Sequence, residues 1–137
     1  MIDWYDYTNT FHKKTFPNDG NLDSLSEEYQ RELASIWRLS DVYNGGYIQF
    51  IGNWGLVTHR YAVKALENIG AVKKETILKD CYSALMKYYI DGKGYTEIRD
   101  CIPNAVYQYV LDKSYEFMMD KENVELLGIA FYKHRIP

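Results

Sequence analysis

The sequence predicts an all-α fold, a compact single-domain bundle of about five to seven helices. Apolar residues recur at the spacing of one helix face in several segments, and no segment alternates apolar and polar residues over the length of a strand. Of the 137 residues, 47% are hydrophobic and 26% are charged, which is ordinary for a globular domain that buries its own core.

The first long helix is predicted to begin near Ser24, because Ser24-Leu25-Ser26-Glu27 matches a capping box. Its apolar positions follow helical spacing and predict one buried face: Leu25, Tyr29, Leu33, Ile36 and Trp37. Its charged residues are expected on the opposite, solvated side: Glu27, Glu28, Arg31, Glu32 and Arg38.

The remaining chain predicts five further helical segments: about 47–53, 58–69, 73–89, 104–120 and 124–131. Thr58 is expected to cap the start of one of them, and Gly70 stands where a glycine commonly ends a helix. The run Asp91-Gly92-Lys93-Gly94 predicts a loop.

The chain is predicted to consist of an N-terminal arm, residues 1–21, and a single all-helical domain, residues 22–137. A turn signal, Phe16-Pro17-Asn18-Asp19-Gly20, separates the two. The arm is expected to be irregular or a short helix that docks through Trp4, Tyr7 and Phe11.

An Asn-Gly-Gly motif surrounded by aromatic residues is the most distinctive local feature. Its glycines allow a positive φ, so the motif predicts a sharp backbone corner between two helices. We expect Asn44 and Gln49 to bond backbone groups that the break leaves free. The predicted corner comprises Tyr43, Asn44, Gly45, Gly46, Tyr47, Gln49, Phe50, Asn53 and Trp54. A second interpretation, in which the corner opens a small polar pocket for a ligand, stays open.

Charge is distributed unevenly along the chain, although the net charge is only −3. Residues 1–32 carry seven acids and three bases, and residues 97–125 repeat those numbers, whereas residues 33–96 carry five acids and eight bases. This is not the composition of a basic nucleic-acid binder. The acidic ends instead indicate a negative face for a protein partner: Glu27, Glu28 and Glu32 early, with Asp112, Glu116 and Asp120 late.

The sequence lacks the constellations that carry catalysis or bind metals. His12, His59 and His134 are scattered, and Cys81 and Cys101 have no metal-ligand or nucleophile spacing. Neither a GxGxxG nor a GxxxxGK[ST] loop is present. We therefore expect no enzyme activity, cofactor or metal.

The pattern N-G-G-aromatic-x-Q-aromatic-x-x-N, found here at residues 44–53, resembles the signature of a bacterial domain-of-unknown-function family of DNA-mimic-like proteins. The segment Ala65-Leu66-x-x-Ile69-Gly70-Ala71 also resembles that family, and the similarity covers roughly residues 22–90. It implies a small, all-helical, non-enzymatic protein. In the characterised case, such a protein occupies the DNA-binding surfaces of other proteins, including a transcription factor.

The leading hypothesis is thus a bacterial, cytoplasmic protein-binding module. It would act as a DNA mimic or as an immunity protein that occupies a DNA-binding protein, nuclease or toxin, with no direct nucleic-acid or membrane contact. A homodimer stays open. The alternative is a small-ligand-binding or enzymatic pocket at the corner, lined by Tyr43, Asn44, Tyr47, Gln49 and Trp54.

Overall fold

Helices and short connections make up the whole of the computed structural model, which describes residues 2–136. The described residues form seven α-helices and no β-strand. The helices are α1 Trp4–Lys13, α2 Glu28–Arg38, α3 Ser40–Ile69, α4 Val72–Leu85, α5 Tyr95–Cys101, α6 Asn104–Met119 and α7 Val124–Tyr132. Short 3₁₀ turns cover Phe16–Asn18, Leu22–Ser24 and Lys133–Arg135. The all-α prediction is confirmed.

Helix α3 is the central element, since it packs against α2, α4, α5, α6 and α7. Helix α1 packs on α2, and α4 packs on α6. Residues from all of these layers form one continuous core, in which Leu33, Phe50, Leu66 and Phe117 are fully enclosed. A single core of this kind makes the helices depend on one another, because each contributes an apolar face that is unstable in water alone.

The N-terminal segment contains a regular helix that contributes to this core. Trp4 and Phe11 of α1 are buried, and Tyr7 packs against the core. The Trp4 ring lies so close to Gly128 of α7 that a Cβ atom there would stand 2.4 Å from it. Gly128 therefore provides the close approach that lets α7 and α1 meet.

The predicted capping box at Ser24 is wrong. Ser24 ends a 3₁₀ turn, and its hydroxyl donates to the Asn21 carbonyl at 2.6 Å. Helix α2 begins four residues later, with Glu27 at its N-cap position and no side-chain cap. The Ser24 side chain is already used by the preceding turn, so it does not cap a helix that starts after it.

The expected break at the Asn-Gly-Gly motif is a kink within the long helix α3. Gly46 has φ 84° and ψ 178°, and a second kink follows at Gly55, with φ 83° and ψ −177°. Helical backbone continues on both sides of each glycine. The prediction that Thr58 caps a new helix is wrong, because the interruption falls at Gly55 and Thr58 lies inside α3.

Two distant side chains bond the backbone N–H groups that the kinks release. The Tyr47 N–H donates to the Ser114 hydroxyl at 2.9 Å, and the Leu56 N–H donates to Asp91 Oδ1 at 3.1 Å. The expectation that Asn44 and Gln49 would do this is wrong. Asn44 is exposed, and the Gln49 amide donates to Asp41 Oδ1 at 3.4 Å.

The other helix boundaries follow the prediction in part. Gly70 ends α3 in the left-handed conformation, with φ 83°, as its position indicated. Helix α4 ends at Leu85, four residues earlier than predicted. The sequence analysis did not predict α5, which is only seven residues long.

We expect Gly46→Ala to lower the free energy of unfolding by about 1–3 kcal/mol, since its φ is unfavourable for a side chain. The added Cβ would also meet the Ser114 hydroxyl at 3.2 Å and disturb the bond to the Tyr47 N–H. Gly70→Ala is the matched control, because Gly70 has nearly the same φ but nothing within 4 Å of the added atom.

Urea unfolding of both variants measures the difference. Gly46→Ala should be the more destabilising of the two. Gly46, at φ 84° and ψ 178°, lies in a region that essentially only glycine adopts, whereas Gly70, at φ 83° and ψ 18°, is left-handed helical, and the Cβ added at position 46 also meets Ser114. Equal losses, or no loss at Gly46, would contradict this account of the kink.

Candidate functional site

Four of the six predicted acidic contact residues lie exposed on helix surfaces. Glu27 and Glu28 stand at the start of α2, and Glu28 pairs with Lys64 of α3 at 3.2 Å. Asp112 and Glu116 lie one turn apart on α6. No hydrogen bond or ion pair joins the two groups in the part of the chain that the structure describes. The structure therefore offers two exposed acidic pairs.

Glu32 must be removed from the predicted acidic face. It is only 4% exposed, and its Oε1 accepts bonds from the Tyr132 hydroxyl at 2.6 Å and the Asn68 amide at 3.0 Å. Burial, reinforced by this bond to Glu32, raises the pKa of Tyr132. Glu32 thus joins α2 to α3 and α7 inside the protein, where a partner does not reach it.

Asp120 is also committed to an internal role. Its carboxylate lies 3.2 Å from the ammonium of Lys74, which is itself buried, and its side chain is 10% exposed. Burial opposes ionisation, but bonds from the Glu122 N–H and from Lys74 outweigh it and lower the pKa of Asp120. The Lys74 ammonium also donates to the Phe117 and Asp120 carbonyls, so it bonds backbone acceptors at the C-terminal end of α6.

Asp41, which the sequence analysis did not single out, organises the polar residues of the corner. Its Oδ2 accepts bonds from the Asn53 amide at 3.0 Å and the Trp54 indole N–H at 2.7 Å. Its other oxygen accepts from Gln49. One carboxylate therefore spans the kink at Gly46 and connects residues on both sides. In the sequence, Asp41 is an isolated acid just before the Asn-Gly-Gly motif, and this position was the feature that could have indicated its role.

The corner does not form a ligand pocket. The cavity at Gly46 and Ser114 measures about 10 Å³, which is room for one water molecule at most. Tyr47 is fully buried, and its hydroxyl bonds Nδ1 of His59 at 2.8 Å. Tyr43 and Trp54 line two different surface cavities. The proposed pocket lining is therefore wrong, because Tyr47 is enclosed in the core and Tyr43 and Trp54 line different cavities.

Arg38, predicted to lie on the solvated side of α2, is instead 1% exposed. Its nitrogen atoms donate to four acceptors: His12 Nδ1 at 3.0 Å, Thr58 Oγ1 at 2.8 Å, Thr15 Oγ1 at 3.2 Å and the Gly20 carbonyl at 2.8 Å. Its guanidinium also lies over the Trp54 ring, 4.5 Å from the centroid. The charge is thus buried with its hydrogen bonds made and an aromatic face beside it.

His12 must be neutral in this arrangement. Arg38 Nε only donates, so the Nδ1 atom of His12 that accepts its bond carries no proton. Burial, with the neighbouring Arg38 charge, lowers the pKa of His12 to about 4. Burial likewise lowers the pKa of His59 to about 4 and that of Arg38 to about 10. The His12 ring stacks on the Trp37 ring, with centroids 4.1 Å apart.

The positions of the acids, histidines and thiols bear on metal binding. No group of three or more His, Cys, Asp or Glu side chains is arranged to hold a metal ion there. Cys81 is buried, which raises its pKa to about 12, and Cys101 is exposed. No helix among these residues has the length and apolar character needed to cross a membrane.

These features define a small all-helical domain that presents exposed carboxylates on a rigid scaffold. A profile of the DMP19-like protein family matches residues 23–134. The chain therefore belongs to the DMP19-like protein family, and the resemblance to DNA-mimic-like proteins is confirmed. No curated protein and no solved structure matches the chain.

We expect the free energy of unfolding to fall as the pH is lowered from 6.5 towards 4. The folded-state pKa values of His12 and His59, about 4, lie below the ordinary value of 6.5, so the unfolded chain binds protons first. The contribution of the two neutral histidines to the free energy of unfolding is fully present above pH 6.5. Below that pH, each histidine lowers the free energy of unfolding by at most about 1.4 kcal/mol per pH unit.

Urea unfolding at a series of pH values checks this. His12→Asn keeps an acceptor for Arg38 but cannot be protonated. It should therefore remove the contribution of one histidine from the slope of unfolding free energy against pH. His134→Asn, at an exposed position away from these contacts, is the matched control. The account fails if stability is flat between pH 6.5 and 4.5, or if both variants behave alike.

Proposed function

We propose that this protein is a non-enzymatic, protein-binding module that occupies the surface with which a DNA-binding protein, nuclease or toxin contacts DNA. Membership of the DMP19-like family carries this proposal. DNA mimicry requires carboxylates at fixed positions where a basic cleft expects phosphates. A cytoplasmic location in a bacterium is part of the same proposal.

The two exposed acidic pairs supply the charges for such contact. Glu27 is the N-cap residue of α2 and Glu28 is its first residue, and Asp112 and Glu116 are exposed on α6. Both helices pack on α3, whose core contacts fix the spacing between the pairs. A rigid spacing matters because a phosphate backbone is itself a regular array of charge.

Two lysines lie close to these acids and pair with them in the free protein. Lys64 pairs with Glu28, and Lys113 lies between Asp80 and Glu116 at 3.5 and 3.1 Å. These are exposed or half-exposed pairs, which contribute little stability, so a basic partner can displace the lysines at small cost. A net charge of −3 is then compatible with a local acidic contact.

We expect reversal of either acidic pair to weaken partner binding by about tenfold or more and to reduce its salt dependence. The variants are Glu27→Lys with Glu28→Lys, and Asp112→Lys with Glu116→Lys. Glu97→Lys with Asp100→Lys changes the net charge equally at two exposed acids of α5 and is the matched control.

The measurement is capture from bacterial lysate on the tagged protein at low salt, with a salt gradient and mass spectrometry, followed by affinity measurement with the purified partner. Thermal unfolding verifies that each variant is folded. If both reversed pairs bind the captured partner as tightly as the control, the acidic contact is wrong. If no DNA-binding protein, nuclease or toxin is captured, the proposed partner class is wrong.

A further inference from the structure

A groove of about 340 Å³ opens between α1, the α2–α3 junction and the start of α7. Its floor is apolar and consists of residues that belong to the core: Trp4, Ile36, Leu39 and Phe117. We call it the aromatic groove. Its volume lies at the lower end of the range for ligand sites, about 300–1,000 Å³, so it suits one side chain with its flanking backbone.

Two aromatic pairs line the aromatic groove. Tyr5 and Trp37 form one pair, with ring centroids 5.9 Å apart, and Tyr43 and Phe117 form the other, with centroids 5.5 Å apart. Tyr5 is 56% exposed and Tyr43 is 48% exposed. Large aromatic rings left open to solvent on both sides of an apolar floor are typical of a recognition site.

The charges along the aromatic groove are all negative. Asp3 and Glu125 line it, and no lysine, arginine or histidine does. Neither acid forms an ion pair with another described residue.

The groove between α4 and α6 has a different charge pattern. It is larger, about 460 Å³, but Lys73 and Lys113 line it together with Asp80, Glu116 and Asp120. Its acids are therefore already balanced by bases. Of these two grooves, only the aromatic groove combines exposed aromatic faces with carboxylates that have no ion-pair partner. Asp3 Oδ1 accepts the Asp6 N–H at 3.1 Å and caps α1, which leaves Glu125 as the carboxylate free for a ligand.

We propose that the aromatic groove receives an arginine side chain from the protein partner, an inference that rests on the proposed function. A guanidinium is planar, stacks on aromatic rings and donates to carboxylates, so Tyr5, Tyr43 and Glu125 match each part of its chemistry. DNA-binding proteins use arginine to contact phosphates and bases, and such residues are displayed on the surface that a mimic would occupy.

Trp37, one of the residues that line the groove, carries an unpaired donor. The Trp37 indole N–H is buried and has no hydrogen-bond partner among the described residues. Buried donors in native proteins are nearly always bonded.

The test is an NMR titration of the ¹⁵N-labelled protein with N-acetyl-arginine amide, followed through the indole signals of the three tryptophans. Trp4 and Trp37 line the groove, whereas Trp54 lines a different cavity. We expect saturable shifts at Trp4 and Trp37, and at least about tenfold weaker binding of the neutral isostere N-acetyl-citrulline amide.

Glu125→Gln removes one groove charge at an exposed position and should weaken binding of the arginine amide by about threefold or more. Asp100→Asn, an exposed acid outside the groove, should leave it unchanged. Equal binding of the arginine and citrulline amides, the absence of saturable shifts, or tighter binding of free L-arginine than of the capped amide would each overturn the proposal.

The titration needs no protein partner, so its failure is distinguishable from failure of the proposed function. A captured DNA-binding partner whose binding depends on the acidic pairs, together with no binding of the arginine amide, removes the groove inference alone. Selective binding of the arginine amide with no DNA-binding protein, nuclease or toxin captured removes the proposed function and leaves an arginine site.

Discussion

The buried guanidinium of Arg38 is the interaction on which much of this structure depends. Moving an arginine out of water is costly unless its donors are bonded. Here the acceptors come from the N-terminal region and from α3, so Arg38 of α2 holds three segments of the chain in one arrangement. His12 connects this cluster to the aromatic groove, because its ring stacks on Trp37, which lines the groove.

The kinks of α3 are the second constraint. A straight helix of 30 residues would extend well past a domain of this size, whereas a kinked one bends around its own core. Each kink exposes a backbone N–H group that a straight helix would bond internally, and Ser114 and Asp91 accept those bonds. The kinks therefore join α3 to α6 and to the loop before α5, in addition to the apolar contacts.

Sequence reasoning succeeded where a structure depends on neighbouring residues. The all-α class, the end of α3 at Gly70 and the span of α6 all follow from local periodicity and glycine position. It failed at Glu32 and Arg38, because charged residues are normally assigned to the solvent side of a helix. Their partners lie far away in sequence: Tyr132 is 100 residues from Glu32, and His12 is 26 from Arg38.

The candidate site, too, could be predicted from the sequence only in part. The exposed acids Glu28 and Glu116 could be selected from charge alone, whereas the aromatic groove could not be predicted. Its residues come from α1, α2, α3, α6 and α7 and meet only after the core has formed. Tyr43 was selected for its position in the motif, but its surroundings depend on where α6 places Phe117.

The central claim is that the protein and DNA compete for one surface of the partner. The most direct measurement is to add duplex DNA to the purified complex and to follow by size-exclusion chromatography with light scattering which species remain. The account predicts that DNA displaces the protein and that no ternary species forms. A stable species that contains the protein, its partner and DNA together would contradict it.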